Sequence, residues 1–311
     1  MTGLMIVLGG QAVSILASGM TGFALAIWVF QKTSSATSLG IMTSAFTLPY
    51  LLIIPLAGVM VDRYNRKLMM MISDLAAGLG SLAILVLLAG NNLQVWHFYI
   101  INIIIGLGNA FQWPAYSAAI TTMVPKEQYG RANGMVSFVQ AGPQAVAPLL
   151  AGALLPVIGL KGILFIDIAT FVLAIGMLML VEIPPPIRTE EGRQGSGSMM
   201  QEAAFGFKYI FKRPSLLAFV IMLFFANLFL GFPNAVTVPL ILSRTGNSSI
   251  VLGAVQTAGT IAWTAGSLVM SAWGGPKRKV HGVLGFLMLG GLFTSMLGLR
   301  PSLPLMALGG R

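Results

Sequence analysis

The chain of 311 residues contains no cysteine, and that absence removes two kinds of chemistry, a disulfide framework and a thiolate metal site. Histidine is almost as scarce, since only His97 and His281 occur, far apart in the chain, so no imidazole cluster is expected and no metal or cofactor is implied. Charge is the third scarcity. Charged residues make up 8% of the chain against 56% hydrophobic, and the mean hydropathy is +0.87, a balance that excludes an ordinary water-soluble domain. Acids are rarest, 8 Asp and Glu against 18 Lys and Arg, for a net charge of +10. That sign would suit nucleic acid only if the cations formed a continuous basic face; they are scattered between long apolar runs, so nucleic acid is excluded as a partner. No GxxxxGK[ST] loop occurs, which argues against ATP as the energy source, and no nucleophile–base spacing or metal cluster marks an enzyme. The first cation is Lys32, so the opening lacks the basic region of a cleaved signal peptide and reads as a retained first helix.

What the chain has instead is apolar runs of bilayer length, at roughly 20 residues per crossing. They cover residues 4–30, 39–61, 68–89, 95–123, 132–158 and 163–181, then 216–242, 251–273 and 283–299. Between the sixth and seventh lies "EIPPPIRTEEGRQGSGSM", whose prolines and Gly/Ser tract deny both helix and core. The following "QEAAFGFKYIFKRP" alternates apolar and cationic positions as a short helix on a membrane surface does. The expected architecture is all-α and polytopic: a six-helix bundle over 1–182, a cytoplasmic linker with an amphipathic helix over 183–213, and a partial second bundle over 214–311. Pro301 to Arg311 is too short to cross ~30 Å of hydrocarbon at ~1.5 Å per residue, so the expectation is nine spans and the start of a tenth.

The cations test this count. With the amino terminus in the cytoplasm, the cytoplasmic connections carry Arg63, Arg66 and Lys67, then Lys126 and Arg131, then the five of the linker region, then Lys277, Arg278 and Lys279. The opposite connections hold Lys32, Lys161, Arg244 and Arg300. Thirteen against four follows the positive-inside rule at every loop. A multi-pass protein of the cytoplasmic membrane with a cytoplasmic amino terminus is the expected placement.

The connection after the second span reads "GVMVDRYNRK", which spells GxxxDRxxRK on Gly58, Asp62, Arg63, Arg66 and Lys67. An anchoring role explains the cations there but not Asp62. At this spacing and in this loop the chain resembles the major facilitator superfamily, whose cytoplasmic gate motif this is. The family often has Gly where Asn65 stands, and Asn tolerates a left-handed backbone next best. The resemblance implies that the aspartate faces the amino-terminal end of an eleventh helix, where the positive dipole end attracts it. No eleventh helix lies within this chain, so the expectation is a C-terminally truncated member of about twelve spans. "AWGGPKRK", after the eighth span, echoes the motif in the second half without its acid.

The fourth span carries "NIIIGLGNAFQWPA", similar to the family's RxxxGxG pattern with Asn102 in place of the arginine, and the Gly106 and Gly108 pair indicates close helix packing. The fifth, "GMVSFVQAGPQAVAPLLAG", partly resembles the antiporter motif through Gly142 and Pro143, a candidate hinge beside the alternative of a kinked packing helix. Two acids lie inside spans, where ionisable groups are expensive and mark function. Asp74 is expected to pair with the Arg63 and Arg66 cluster as a structural element. Asp167, in "LFIDIATF", has no cation of its own helix in reach and is the better proton-coupling candidate; a hydrogen bond to Asn102 or another polar neighbour is the alternative. Gln11, Ser14, Asn102, Asn227 and Gln256 are candidate cavity groups, among Phe, Trp and Met that suit an amphipathic organic substrate. The wording of the first two spans resembles the bacterial exporter branch that includes enterobactin and macrolide efflux proteins. It implies a monomer in the bilayer that exports a small amphipathic molecule by proton antiport; a facilitator or importer of the same fold, or an inactive truncated piece, are the alternatives.

Overall fold

Apolar runs in a chain poor in charge become helices, because the helix satisfies its own backbone groups where lipid offers no partner. A computed structural model describes residues 2–124, 129–181 and 210–273, with residues 285 and 288. Within them the chain forms α1 (Thr2–Thr33), α2 (Ala36–Arg63), α3 (Arg66–Ala89), α4 (Val95–Met123), α5 (Tyr129–Leu180), α6 (Pro214–Arg244) and α7 (Ser249–Trp273). α5 is two helices joined at Gly159, whose φ of 65° and ψ of 179° only glycine adopts readily. Its first arm, 129–158, and second arm, 160–180, are the fifth and sixth spans, so eight helices stand among the described residues. The ninth span, most of the linker and "AWGGPKRK" beyond Trp273 lie outside the described residues. Met5–Thr33, Ala36–Gly58, Arg66–Ala89 and Gly134–Leu180 are long and apolar enough to cross a membrane.

Two of the described connections are short and capped by their own side chains. Ser35 caps α2, its side chain accepting from Ser38 N, and Asn65 caps α3, its Oδ1 accepting from Lys67 N at 2.9 Å and Leu68 N at 3.4 Å. Asn65 has φ −65°, so the left-handed backbone anticipated for it is not used; the residue serves as a helix cap instead. α6 starts with Pro214 in the first turn, where a missing N–H leaves nothing unsatisfied.

Short connections make neighbouring helices run up and down, so the bundle has an Asn65 end and a Gly159 end. The buried side chains gather in two clusters. Toward the Gly159 end, Phe30, Ile84, Phe98, Ala147 and Ile163 pack with Ile241 and Leu242 of α6 and with Leu252 and Val255 of α7. Toward the Asn65 end, Val7, Leu8, Val61, Met70, Tyr116, Val136 and Leu178 pack together, all from α1 to α5. Numerous exposed apolar side chains, among them Leu52, Val86, Phe138 and Leu180, form the outer surface suited to lipid.

Candidate functional site

Two buried carboxylates define the interior of the first five segments. Asp74 on α3 is 9% exposed, and Asp167 on the second arm of α5 is 3% exposed. An unpaired charge at such depth is costly, so what surrounds each acid decides its role.

Asp74 is held by amides. Gln11 Nε2 on α1 donates to Oδ2 at 2.9 Å, and Gln112 Nε2 on α4 donates to Oδ1 at 3.0 Å while also reaching Gln11 Oε1 at 3.1 Å. The expected pairing with Arg66 is therefore corrected: Arg66 Nη1 donates to Ala118 O at 2.7 Å, on α4, and not to Asp74, while the side chain of Arg63 lies outside the described residues. Arg66 stands eight residues before Asp74 on the same helix, about two turns and ~12 Å away along the axis, and its side chain turns instead to the carbonyls at the end of α4. Gln11, expected as a cavity group, is 5% exposed and bonded to Asp74. Gln112 was not singled out by its sequence context, an isolated glutamine before Trp113 and Pro114. Its Oε1 is buried without a partner, as is the hydroxyl of Tyr116 one turn further along α4.

Asp167 is held by hydroxyls. Ser81 Oγ on α3 donates to Oδ2 at 2.6 Å and Ser18 Oγ on α1 donates to Oδ1 at 2.9 Å. Ser18 itself is exposed. Asn102 is not a partner of the acid; its Nδ2 donates to Phe98 O of its own helix at 2.8 Å. The two acids share a register. Gln11 and Ser18 are seven residues apart on α1, Asp74 and Ser81 are seven apart on α3, and seven residues are two turns, ~10.5 Å on one helix face. Half-buried Ser14 lies between Gln11 and Ser18 on that face.

The other candidate positions fall elsewhere. Asp62 and Arg63 close α2, and their side chains lie outside the described residues, while Gly58 has open space around it. Lys67 Nζ donates to Met179 O and Val181 O, both at 2.9 Å, and so caps the carboxyl-terminal end of α5. α5 runs through Gly142 and Pro143 in helical conformation, and the break comes at Gly159. Asn227 is exposed and bonds Leu223 O in its own helix, and Gln256 on α7 is half-buried. Gly106 meets the α2 backbone at Phe46, and a Cβ on Gly108 would stand 2.8 Å from Ala76 of α3, so the pair lets α4 approach two neighbours at once.

One contact joins α5 to α7. A Cβ on Gly152 would lie 2.6 Å from Ser249 O, a Cβ on Gly253 would strike Pro148 O, and Ser249 Oγ donates to Gly152 O at 3.1 Å. Bare backbones press together here, near the Gly159 end.

The model of the Major Facilitator Superfamily matches residues 7–309. The chain belongs to that superfamily. It is accordingly a membrane transporter-family protein, not an enzyme. Macrolide efflux protein A of Streptococcus pyogenes is 33% identical over 175 residues, covering 56% of this chain and 43% of that protein. Multidrug resistance protein 1 of Bacillus subtilis is 28% identical over 189 residues, covering 61% of this chain and 46% of that protein. The chain thus matches less than half the length of these curated relatives. A solved bacterial homolog of the human lysosomal transporter Spinster, in an inward-facing and unoccupied conformation, shares the fold with a TM-score of 0.68 at 15% identity, over 99% of this chain and 71% of that one.

Proposed function

We propose that the protein is a proton-coupled secondary exporter of small amphipathic molecules, of drug, macrolide or siderophore type. In this reading it works as a monomer in the bacterial cytoplasmic membrane, with its amino terminus and its 183–213 linker in the cytoplasm. The observation that carries the reading is Asp167, a buried carboxylate whose two partners are serine hydroxyls. A hydroxyl donates to a carboxylate and accepts from a carboxylic acid by turning about one bond, so both protonation states are satisfied without rebuilding the site. The amides on Asp74 donate to it as they stand and must turn over to accept from its protonated form, whereas the hydroxyls on Asp167 need no such change, which makes Asp167 the better coupling group. The names of the curated relatives favour outward transport of a macrolide-like compound. Thirteen of the cations, on alternate connections, favour the orientation.

The test is proton-driven macrolide efflux from cells lacking their own efflux pumps. Asp167→Asn is expected to abolish accumulation against a gradient while leaving passive exchange. Efflux that survives with an unchanged pH profile overturns the assignment. Asp62→Asn should reduce transport and leave membrane insertion intact, because it removes a charge whose attraction to a helix amino terminus is worth about 0.3–1 kcal/mol. Reporter fusions at Arg188 and Arg193 check the orientation, and an external linker overturns it.

A further inference from the structure

Between the levels of the two acids one ring packs against a neighbouring helix. Phe171 lies one turn beyond Asp167 on the second arm of α5, on the same face, and Gly78 lies one turn beyond Asp74 on α3. The two meet: a Cβ on Gly78 would stand 2.5 Å from Phe171 Cδ1 and Cδ2, closer than real Cβ contacts come, so the ring occupies a notch that only glycine leaves. The register is antiparallel and continuous, with Ser81 opposite Asp167 and Gly78 opposite Phe171. Asp74 follows one turn further toward the Asn65 end, at the level where Gly10 of α1 packs on Ala174 and Met177.

Each acid also has its own partly uncovered partner. Asp167 is bonded to exposed Ser18, and Asp74 to half-buried Gln112. Gln112 can serve a protonated Asp74, because turning its amide over presents the unpartnered Oε1 as an acceptor. Lengths along the axis add up to a crossing. Asp74 is eight residues from the start of α3, ~12 Å; Asp74 and Ser81 are ~10.5 Å apart; and Asp167 is eight residues from Gly159, again ~12 Å, against a ~30 Å hydrocarbon core.

We propose that Asp74 and Asp167 are two proton stations of one path through the first bundle, and that Phe171, seated on Gly78, is the seal between them. With the ring in its notch, each acid exchanges protons through its own side. With the ring out, a proton on one carboxyl reaches the other through Ser14 and Ser18. The described charged and titratable groups on the elements packed around this path are few. Tyr116 of α4 is one turn from Gln112, Arg66 and Lys67 at the start of α3 are committed to backbone carbonyls, Lys32 at the end of α1 and Lys161 with His97 and Tyr99 lie toward the Gly159 end, and Tyr50 of α2 stacks on Phe46 of its own helix.

This deepens the proton-coupled reading but is tested without any substrate. The purified chain is reconstituted in liposomes containing a pH-sensitive dye, a potassium gradient with valinomycin supplies the driving potential, and proton entry is followed. Wild type is expected to be tight, and Phe171→Ala to admit protons several-fold faster. Gly78→Ala, whose Cβ displaces the ring, carries the same test if Phe171→Ala does not give monodisperse, helical protein. Adding Asp74→Asn or Asp167→Asn to the leaking variant should restore tightness. A tight Phe171→Ala protein, or a tight Gly78→Ala protein where it takes its place, overturns the seal, as does a leaking wild type. A leak that persists in both double variants overturns the two-station path, since it then runs through a packing defect. A tight ring variant beside intact proton-driven efflux removes the seal and keeps the antiport reading; an acid-dependent leak in a protein that exports nothing does the reverse.

Discussion

The two ends of the molecule are built differently. At the Gly159 end a single buried cluster takes side chains from all seven segments, α1 to α7, and the backbones of Gly152 and Gly253 touch. At the Asn65 end the described cluster belongs to α1–α5 alone. Among the described residues, the junction of the first bundle with α6 and α7 is concentrated at the Gly159 end. A transporter that rocks about a central site needs this inequality, with one end joined while the other is parted. The difference also separates two roles of small residues. Gly78, Gly106 and Gly108 bring helices together inside the first bundle, while Gly152 and Gly253 bring α5 to α7.

The comparison can be broken most directly by truncating one core residue at each end. Leu252→Ala and Met70→Ala each remove a fully buried side chain, and each should lower stability by about 2–5 kcal/mol, read as a fall in Tm of the purified protein. Only Leu252→Ala should lengthen the distance between spin labels on cysteines introduced at exposed Val157 and Ile250. The absence of native cysteine makes such labelling specific. If Met70→Ala lengthens that distance as well, the two ends are not independent.

A smaller effect sharpens the same contrast. Gly253→Leu pushes a side chain into the carbonyl of Pro148, which is backbone and cannot turn aside, at a cost of about 1–3 kcal/mol. It should lengthen the 157–250 distance and shorten one measured between labels at Leu68 and Phe219, toward the opposite end. Movement of neither pair would show that the glycine contact does not set the spacing. Ser249→Ala removes the hydroxyl bonded to Gly152 O and should cost about 0.5–1.5 kcal/mol in Tm measurements, with a modest broadening of the 157–250 distances. Lys67→Met removes a cation from the carboxyl-terminal end of α5 and should cost about 0.3–1 kcal/mol, leaving both distances where they were.

Much of this architecture was legible in the sequence because lipid enforces it. Helices must be apolar for about twenty residues, so the runs mark the eight described helices directly. What composition could not supply was which faces meet. Asp74 looked like a partner for Arg66 because they share a helix, yet its hydrogen bonds come from Gln11 and Gln112, 63 and 38 positions away. Asp167 was singled out as an acid with no cation of its own helix in reach, but Ser18 and Ser81 are ordinary residues until the register of three helices is known. Asn65 was read through its backbone tolerance and acts through its side-chain oxygen. Gly159 stood unremarked among apolar residues, since one glycine in a run carries no signal for the turn it makes.

That turn has a mechanical consequence. Gly152, which bears on α7, and Asp167, which holds Ser18 and Ser81, sit seven and eight residues to either side of Gly159 on one continuous element. With a single non-helical residue as the fulcrum, the two arms form a bent lever. A displacement that prises Gly152 from Ser249 is delivered, with its direction reversed, to the carboxylate on the other arm.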